Sequence, residues 1–351
     1  MSDSLLTPPQ TDPTPIFEHF RGALGTELLT AAIAHFNVFG RLAESPRTAE
    51  ELQNDLELRD RPAVVLFTAL KAMGLLRQND NGLLELTELA AEHLVPGGTF
   101  DVGHYVGLSA SSPGVLNIVE LLRSNRPLGS GQDDEQGVAF IYRDGLKSAM
   151  DSSDSARHLT LSLAGRARNV APHLAEQLPL DDVQLLLDVG GGTGIYSFAL
   201  LQKHPHLRAI VLDRPEVLRI AEEIAAEHEV ADRVELRPAD MFTDELPSDV
   251  DAVLLSNILH DWDVPECRQL VQRCSDALRP GGRLLIHDVF LNDDLDGPLP
   301  IALYSASLFS LTEGRAYSAA EYREWMSQAG LEPGDIIPTF IHCGVLEGTK
   351  V

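Results

Sequence analysis

Cysteine is scarce in this 351-residue chain, which carries only Cys267, Cys274 and Cys343. Three thiols without Cys-x-x-Cys spacing make neither a disulfide framework nor a metal clip, and they fit a reducing compartment. Positive charge is also in short supply: 27 Lys and Arg face 53 Asp and Glu, a formal net charge of −26. A surface this acidic repels polyphosphates and anionic lipid, which argues against nucleic acid or a membrane surface as partner. No apolar run approaches the ~20 residues of a membrane span. The opening MSDSLLTPPQTDPTP lacks the basic start and apolar stretch of a signal peptide. What is present is an ordinary globular composition, 44% hydrophobic and 23% charged, with length for about two domains. The expectation is a cytoplasmic two-domain protein.

Residues 1–15 are polar and proline-rich and read as a solvated, flexible tail. From Ile16 the pattern becomes helical, with Leu28, Leu29, Ala32, Ile33 and Phe36 at helical spacing. Thr48 with Glu51 three residues on is a capping-box signature, and Asp60 opens a further helix with proline in its first turn. Two short apolar stretches around Asn-Asp-Asn-Gly then predict a tight hairpin. Three helices followed by a hairpin make a winged-helix arrangement over 16–100. Residues 101–165 read as connecting helices and loop, with a flexible insert at Gly129–Gly137. Beyond 165 strands alternate with helices, at Gln184–Val189, Arg208–Asp213, Val234–Leu236, Asp251–Asn257 and Arg283–Phe290. Such Leu/Val/Ile-rich strands separated by amphipathic helices imply a parallel sheet covered on both faces.

The turn after the first of these strands is unusually rich in glycine. In LLLDVGGGTG, Asp188 ends the strand and Gly190, Gly192 and Gly194 lead into a helix. Ligands of doubly wound sheets bind at strand carboxyl ends near the switch in strand order. The dinucleotide fingerprint fails because Ile195 stands where its third glycine belongs, and no Gly-Lys-Ser/Thr follows to make a phosphate loop. Asp213 closes the next strand, where a carboxylate can take both ribose hydroxyls. Asp240 and Met241 follow the third, placed to frame an adenine. A ribose-and-adenine site without a phosphate cradle suggests S-adenosylmethionine.

The segments LLDVGGGTG (186–194), VLDRPEV (211–217), PADMF (238–242), ILHDWD (258–263) and RPGGRLLIHD (279–288) together resemble the class I methyltransferases. Specifically, the chain is similar to the O-methyltransferase family typified by plant caffeate and animal hydroxyindole enzymes. The resemblance covers nearly the whole length. It implies an α/β fold: a Rossmann-like sheet over 166–351 that binds S-adenosylmethionine, preceded by an all-helical winged-helix dimerisation domain. It also implies a homodimer, a small aromatic hydroxylated acceptor and no metal. By the family's motif, His260 is the general base. Asp288 falls where the family orients that base with a glutamate. The family's second acid falls on Ala316; either Glu313 three residues earlier substitutes for it or the second acid is absent. Ser256 stands where plant members carry a cofactor-contacting lysine, and Arg214 and Asn257 adjoin the cofactor positions. Met150 and Arg315 are assigned to the acceptor side, each with a plainer reading as a core methionine and an exposed arginine. Asp261 is a helix cap, a cofactor contact or an acceptor contact. Trp262, Cys267 and Cys274 read as packing residues, and His287 falls on the strand face opposite Asp288.

A winged helix is also a DNA-binding form, so a regulator is the competing class. Residues 16–95 hold seven Lys/Arg against twelve Asp/Glu, a net −5, and the helix in the recognition position offers only Arg61 and Lys71. Nonspecific DNA affinity needs phosphate neutralisation, which this surface does not supply. Dimerisation is the better use of it. A C-methyltransferase of the same fold, or a catalytically silent cofactor-binding homologue, are the remaining alternatives.

Overall fold

The computed structural model describes residues 4–126 and 153–351. The insert expected at Gly129–Gly137 and the acceptor-side Met150 lie outside the described residues. Two compact units divide the chain: Glu18–Leu146 with Leu291–Ser318, and Met1–Phe17 with Lys147–Phe290 and Ala319–Val351. The division does not follow linear boundaries near 100 and 165, because residues 291–318 group with the N-terminal helices.

In the N-terminal unit the local signals are realised at atomic level. Thr48 Oγ1 accepts from the Glu51 amide at 3.1 Å while Glu51 Oε2 accepts from the Thr48 amide at 2.8 Å, closing the capping box ahead of helix Ala49–Asp55. Strands β1 (Leu76–Gln78) and β2 (Leu84–Leu86) pair antiparallel. Asn79 closes their turn by accepting from the amides of Asn81 and Leu83, as an Asx side chain does. The core gathers Leu28, Phe39, Leu66, Leu70 and Leu122 around Phe309 of helix Leu299–Leu311. Arg61 is turned inward at 5% exposure. It donates to the carbonyls of Thr312 (2.8 Å) and Gly314 (3.0 Å) and to Asn125 Oδ1 (2.9 Å). One of the two bases of the recognition-type helix is therefore a structural clamp.

The second unit is built on a sheet whose main path runs through seven strands. Strands β3 (Leu185–Val189), β4 (Arg208–Asp213), β5 (Val234–Pro238), β6 (Val250–Ser256) and β7 (Leu278–Leu291) match the expected segments, with β7 starting five residues early. These five are mutually parallel. The sheet is mixed, not wholly parallel. The two-residue β8 (Tyr317–Ser318) belongs to the N-terminal unit, while β9 (Leu331–Pro338) and β10 (Cys343–Lys350) complete the order β5-β4-β3-β6-β7-β10-β9, β10 running antiparallel to β7. Leu186, Val189, Val211, Leu254 and Ile286 are fully buried, each contributing about 1.5–3 kcal/mol by transfer from water.

The chain leaves β3 toward β4 on one side and returns through β6 on the other. That reversal puts a crevice at the carboxyl end of β3. The tail is less solvated than expected. Leu5 is 5% exposed and joins the core of this unit, Leu6 packs beside it, and Gln202 Oε1 accepts from Ser4 and Leu5. Among the described residues no helix is long and apolar enough to cross a membrane.

Candidate active site

The turn after β3 holds Gly190, Gly192 and Gly194 at φ of +69°, +59° and +73°, a region costly for residues bearing a Cβ. Their surroundings differ. A Cβ on Gly194 would meet the Phe198 ring at 2.2 Å and one on Gly190 would meet Ile258 Cδ1 at 2.6 Å, so both are packed shut. A Cβ on Gly192 would meet nothing within 4 Å. The loop thus turns one backbone position toward open space.

The strand ends around that opening carry the expected carboxylates. Asp213, closing β4, accepts from the Gly192 amide at 2.8 Å through Oδ2 and from the Arg214 amide at 2.7 Å through Oδ1. Burial raises its pKa, against the pull of those two N–H groups. It locks the glycine loop and keeps further lone pairs on each oxygen. Asp188 is 1% exposed. Its Oδ2 accepts from the Ser197 hydroxyl at 2.6 Å, while Oδ1 is buried with no partner. Burial, opposed by Ser197, pushes it up to about 7. Beyond β5, Asp240 is exposed and its Oδ1 accepts from the amides of Phe242 (2.7 Å) and Thr243 (3.3 Å), setting the turn that presents the half-buried Met241.

At the end of β6, Ser256 Oγ is 2.8 Å from His287 Nδ1 and accepts from Asn257 Nδ2 at 3.1 Å. Asn257 sits at φ +57°, a conformation Asn tolerates better than most residues, and its Oδ1 is buried without a partner. His260 follows in a short 3₁₀ turn, 4% exposed. Its Nδ1 lies 2.6 Å from Asp288 Oδ1 on β7, and its Nε2 lies 3.8 Å from Asp261 Oδ1. Asp288 also accepts from the Val289 amide at 2.8 Å and, through Oδ2, from the Tyr322 hydroxyl at 3.2 Å. Burial alone would depress the His260 pKa, but the Asp288 and Asp261 carboxylates outweigh it and hold it above the ordinary value. For Asp288 burial pushes upward, yet the His260 charge, its hydrogen bond and the Val289 N–H leave the carboxyl below its usual range. Burial sends Asp261 the other way, up to about 6. With Asp288 on Nδ1, neutral His260 carries its proton there and leaves a lone pair on Nε2. This ring can accept a proton at Nε2 and hold the resulting cation between two carboxylates.

The structure therefore brings Asp188, the glycine turn, Asp213, Asn257, His260 and Asp288 to the carboxyl-end side of one sheet. Asp261 does not cap a helix; Asp263 does, accepting from the Val264 amide. Trp262 packs edge-on to Phe242 at 4.7 Å between centroids, and Cys267 and Cys274 are fully buried. Glu313 and Arg315 belong to the N-terminal unit. Arg315 is not exposed as its plainer reading held. At 5% exposure it donates to the Ala316 carbonyl at 2.9 Å and lies 4.3 Å from the centre of the Tyr317 ring. Sequence reasoning missed Ser197, Tyr322 and Thr339. Only Tyr322 had a signal, as an aromatic directly after an acid, Glu321, in the stretch that follows Ala316.

Known proteins resemble the chain over most of its length. The O-methyltransferase domain family matches residues 139–332, more than half of the chain. The 3-hydroxy-5-methyl-1-naphthoate 3-O-methyltransferase of Streptomyces sahachiroi is 37% identical over 327 residues, covering 92% of this chain and 91% of that one. The L-tyrosine C(3)-methyltransferase of Streptomyces lavendulae is 31% identical over 338 residues, covering 94% and 90%. The crystal structure of an O-methyltransferase family 2 protein from Planctomyces limnophilus, in complex with apigenin, aligns at a TM-score of 0.88 with 48% identity, covering 99% of each chain. Likeness over so much of its length, joined to a glycine-turn crevice and a buried His–Asp pair, means that the chain belongs to the O-methyltransferase family and is a methyltransferase.

Proposed function

We propose that the protein transfers a methyl group from S-adenosylmethionine to a hydroxyl of a small aromatic acceptor, with His260 as general base. The observation that carries the proposal is the His260–Asp288 contact of 2.6 Å, which leaves Nε2 as the proton acceptor on the same rim as the glycine turn. The cofactor suits the residues present. The space beside Gly192 admits a ligand, and the partnerless oxygens of Asp188 and Asn257 are buried acceptors awaiting N–H or O–H donors. Asp213 is assigned to the ribose hydroxyls, Asp240 and Met241 to the adenine, and Arg214 and Ser256 to the borders of the same site.

When bound, the cofactor supplies an electrophilic methyl on a sulfonium whose carbon–sulfur electron pair leaves with sulfur. A phenol has a pKa near 10, so its oxygen is a poor nucleophile until the proton is removed. His260 takes that proton at Nε2 as the oxygen–carbon bond forms. Asp288 holds the ring and offsets the new charge, and alignment of acceptor and donor contributes the remainder. The naphthoate enzyme and the apigenin complex among its relatives support an aromatic acceptor. On the resemblance alone, Glu313 is assigned as a second acid beside the base, and Arg315 and Met150 to the acceptor side. We also infer a homodimer through the N-terminal helices, supported by the exposed Phe20, Phe100, Tyr105 and Leu108.

A second reading is carbon methylation, favoured by the tyrosine C(3)-methyltransferase relative; removal of a phenol proton also activates the adjacent ring carbon. Mass spectrometry of reactions offering S-adenosylmethionine and a panel of hydroxylated aromatics tests both. The expected product gains one methyl on oxygen, and His260→Ala lowers turnover about 10²–10⁴-fold while keeping cofactor affinity. A methyl on carbon would establish the second reading. Full activity of His260→Ala would remove the base.

A further inference from the structure

His287 is fully buried on β7 and takes no part in the proton transfer assigned to His260, which its neighbour Asp288 supports. Its ring joins three parts of the second unit. Nδ1 is 2.8 Å from Ser256 Oγ at the end of β6, and Nε2 is 3.2 Å from Thr339 Oγ1 beyond β9. The Tyr196 ring of the helix after the glycine turn meets it edge-on at 5.1 Å. Burial, reinforced by the nearby Arg166 charge, pushes His287 down to about 3, so the ring is neutral wherever the enzyme works. A neutral imidazole has one N–H and one lone pair, and the choice of tautomer passes along the chain it terminates. If Nδ1 accepts from the Ser256 hydroxyl, Oγ has only lone pairs left for Asn257, which must present Nδ2. Asn257 does so at 3.1 Å, and its Oδ1 is left buried with no partner. The opposite tautomer would make Ser256 accept from Nδ1–H, free its hydroxyl proton for Asn257 and turn the amide round.

The sheet order, taken with the cofactor roles proposed above, points to the ligand group that oxygen meets. Running β5, β4, β3, β6, the strand ends offer Asp240 for adenine, Asp213 for ribose, then Asp188, then Asn257, before His260. With adenine and ribose served, the donor of S-adenosylmethionine left for the last acceptors is its α-ammonium group. Resting on the cofactor reading above, we propose that His287 is a positioning residue that, as the Nε2–H tautomer, donates to Thr339, accepts from Ser256 and so holds the Asn257 amide oxygen toward the ammonium group.

The test measures affinity for S-adenosylhomocysteine and for 5′-methylthioadenosine, which lacks the amino-acid portion, by calorimetry. Asparagine puts an amide close to where Nδ1 stood, whereas glutamine reaches toward Nε2. His287→Asn is therefore expected to keep S-adenosylhomocysteine affinity within about twofold, and His287→Gln to lose about tenfold, the worth of one charge-assisted hydrogen bond. Ser256→Ala, which leaves the ring and its packing in place, is expected to lose the same. Methylthioadenosine binding stays level in all three, and kcat of the His287 variants at saturating cofactor is retained while KM for it rises in His287→Gln. If the two His287 variants weaken alike, or asparagine more than glutamine, the ring only fills space and the proposal falls. It falls equally if both variants keep full affinity, or if methylthioadenosine weakens in step with S-adenosylhomocysteine, since Asn257 would then not face the ammonium group. A wild-type protein that binds neither ligand overturns it together with the cofactor reading.

Discussion

Replacing Asp288 with asparagine removes one charge from the base and little else. Asp288 Oδ1 faces His260 Nδ1 and the Val289 N–H, while Oδ2 receives the Tyr322 hydroxyl. An asparagine can keep its oxygen on the first pair and place its amide nitrogen against the tyrosine oxygen, so packing and ring orientation survive. What is lost is the carboxylate opposite an imidazolium that forms during the reaction. Two unit charges ~4 Å apart at an effective dielectric of ~20 interact by about 4 kcal/mol, an upper bound. A charge-assisted hydrogen bond nets about 1.5–3 kcal/mol, which predicts a fall in the plateau kcat/KM of about 10–150-fold.

The pH profile should move as well, in a direction fixed by the causes. Activity needs neutral His260, so it rises as pH climbs through a pKa that the two carboxylates hold above the ordinary value against burial. In Asp288→Asn, burial outweighs Asp261 alone and the acid limb shifts to lower pH. The variant is slower at its plateau but keeps that plateau to more acidic conditions. Asp288→Glu retains the charge and should leave the limb near its original place. Initial rates from pH 5 to 9 at saturating cofactor decide it. An unchanged plateau, or an acid limb that moves upward, refutes the reasoning that Asp288 supports the base through its charge.

Gly192→Ala should cost the ligand-free fold only the left-handed strain of about 1–2 kcal/mol, because its Cβ meets nothing, yet abolish S-adenosylhomocysteine binding by calorimetry. Gly194→Ala drives a methyl into Phe198 and should instead lower the melting temperature markedly; equal melting temperatures for the two would dismiss the distinction. Asp188, with its pKa about 7 against ~3.9 unfolded, binds more protons folded than unfolded between those values. Its contribution to the stability of the ligand-free protein therefore falls as pH rises from about 4 to 7, by at most roughly 4 kcal/mol. Asp188→Asn should flatten that slope in urea denaturation measured at pH 5 and 8, and a slope identical to wild type would mean that the carboxyl is ionised throughout.

Elements with a local cause were legible in the sequence. Thr48 and Glu51 cap one another within a single turn, Asn79 closes its hairpin with its own side chain, and β3, β4 and β6 announce themselves as apolar runs. The C-terminal strands β9 and β10 were not read, since LEPGDIIP and CGVLEGTK interrupt their apolar pattern with proline, glycine and acids. β10 takes its strand character from pairing with β7, a partner more than fifty residues away, and β9 from pairing with β10. The grouping of helix Leu299–Leu311 with the N-terminal unit was hidden for the same reason: Phe309 and Ala306 are apolar in any surroundings, and only the fold says whose core they join.

At the site the same line separates what was visible from what was not. Strand-end residues were found because each follows its own strand, whereas Ser197 on Asp188 and Tyr322 on Asp288 are partners chosen through space. The question left open by the sequence was the second acid beside the base, absent at Ala316 and sought at Glu313. In the folded chain Asp288 lies 2.6 Å from one ring nitrogen of His260 and Asp261 lies 3.8 Å from the other. Both carboxylates raise the ring's pKa against its burial. Two acids already flank the base from residues within its own unit, one of them its immediate neighbour in sequence. A carboxylate from Glu313 is therefore not required to explain how a buried histidine keeps a pKa above that of a free one.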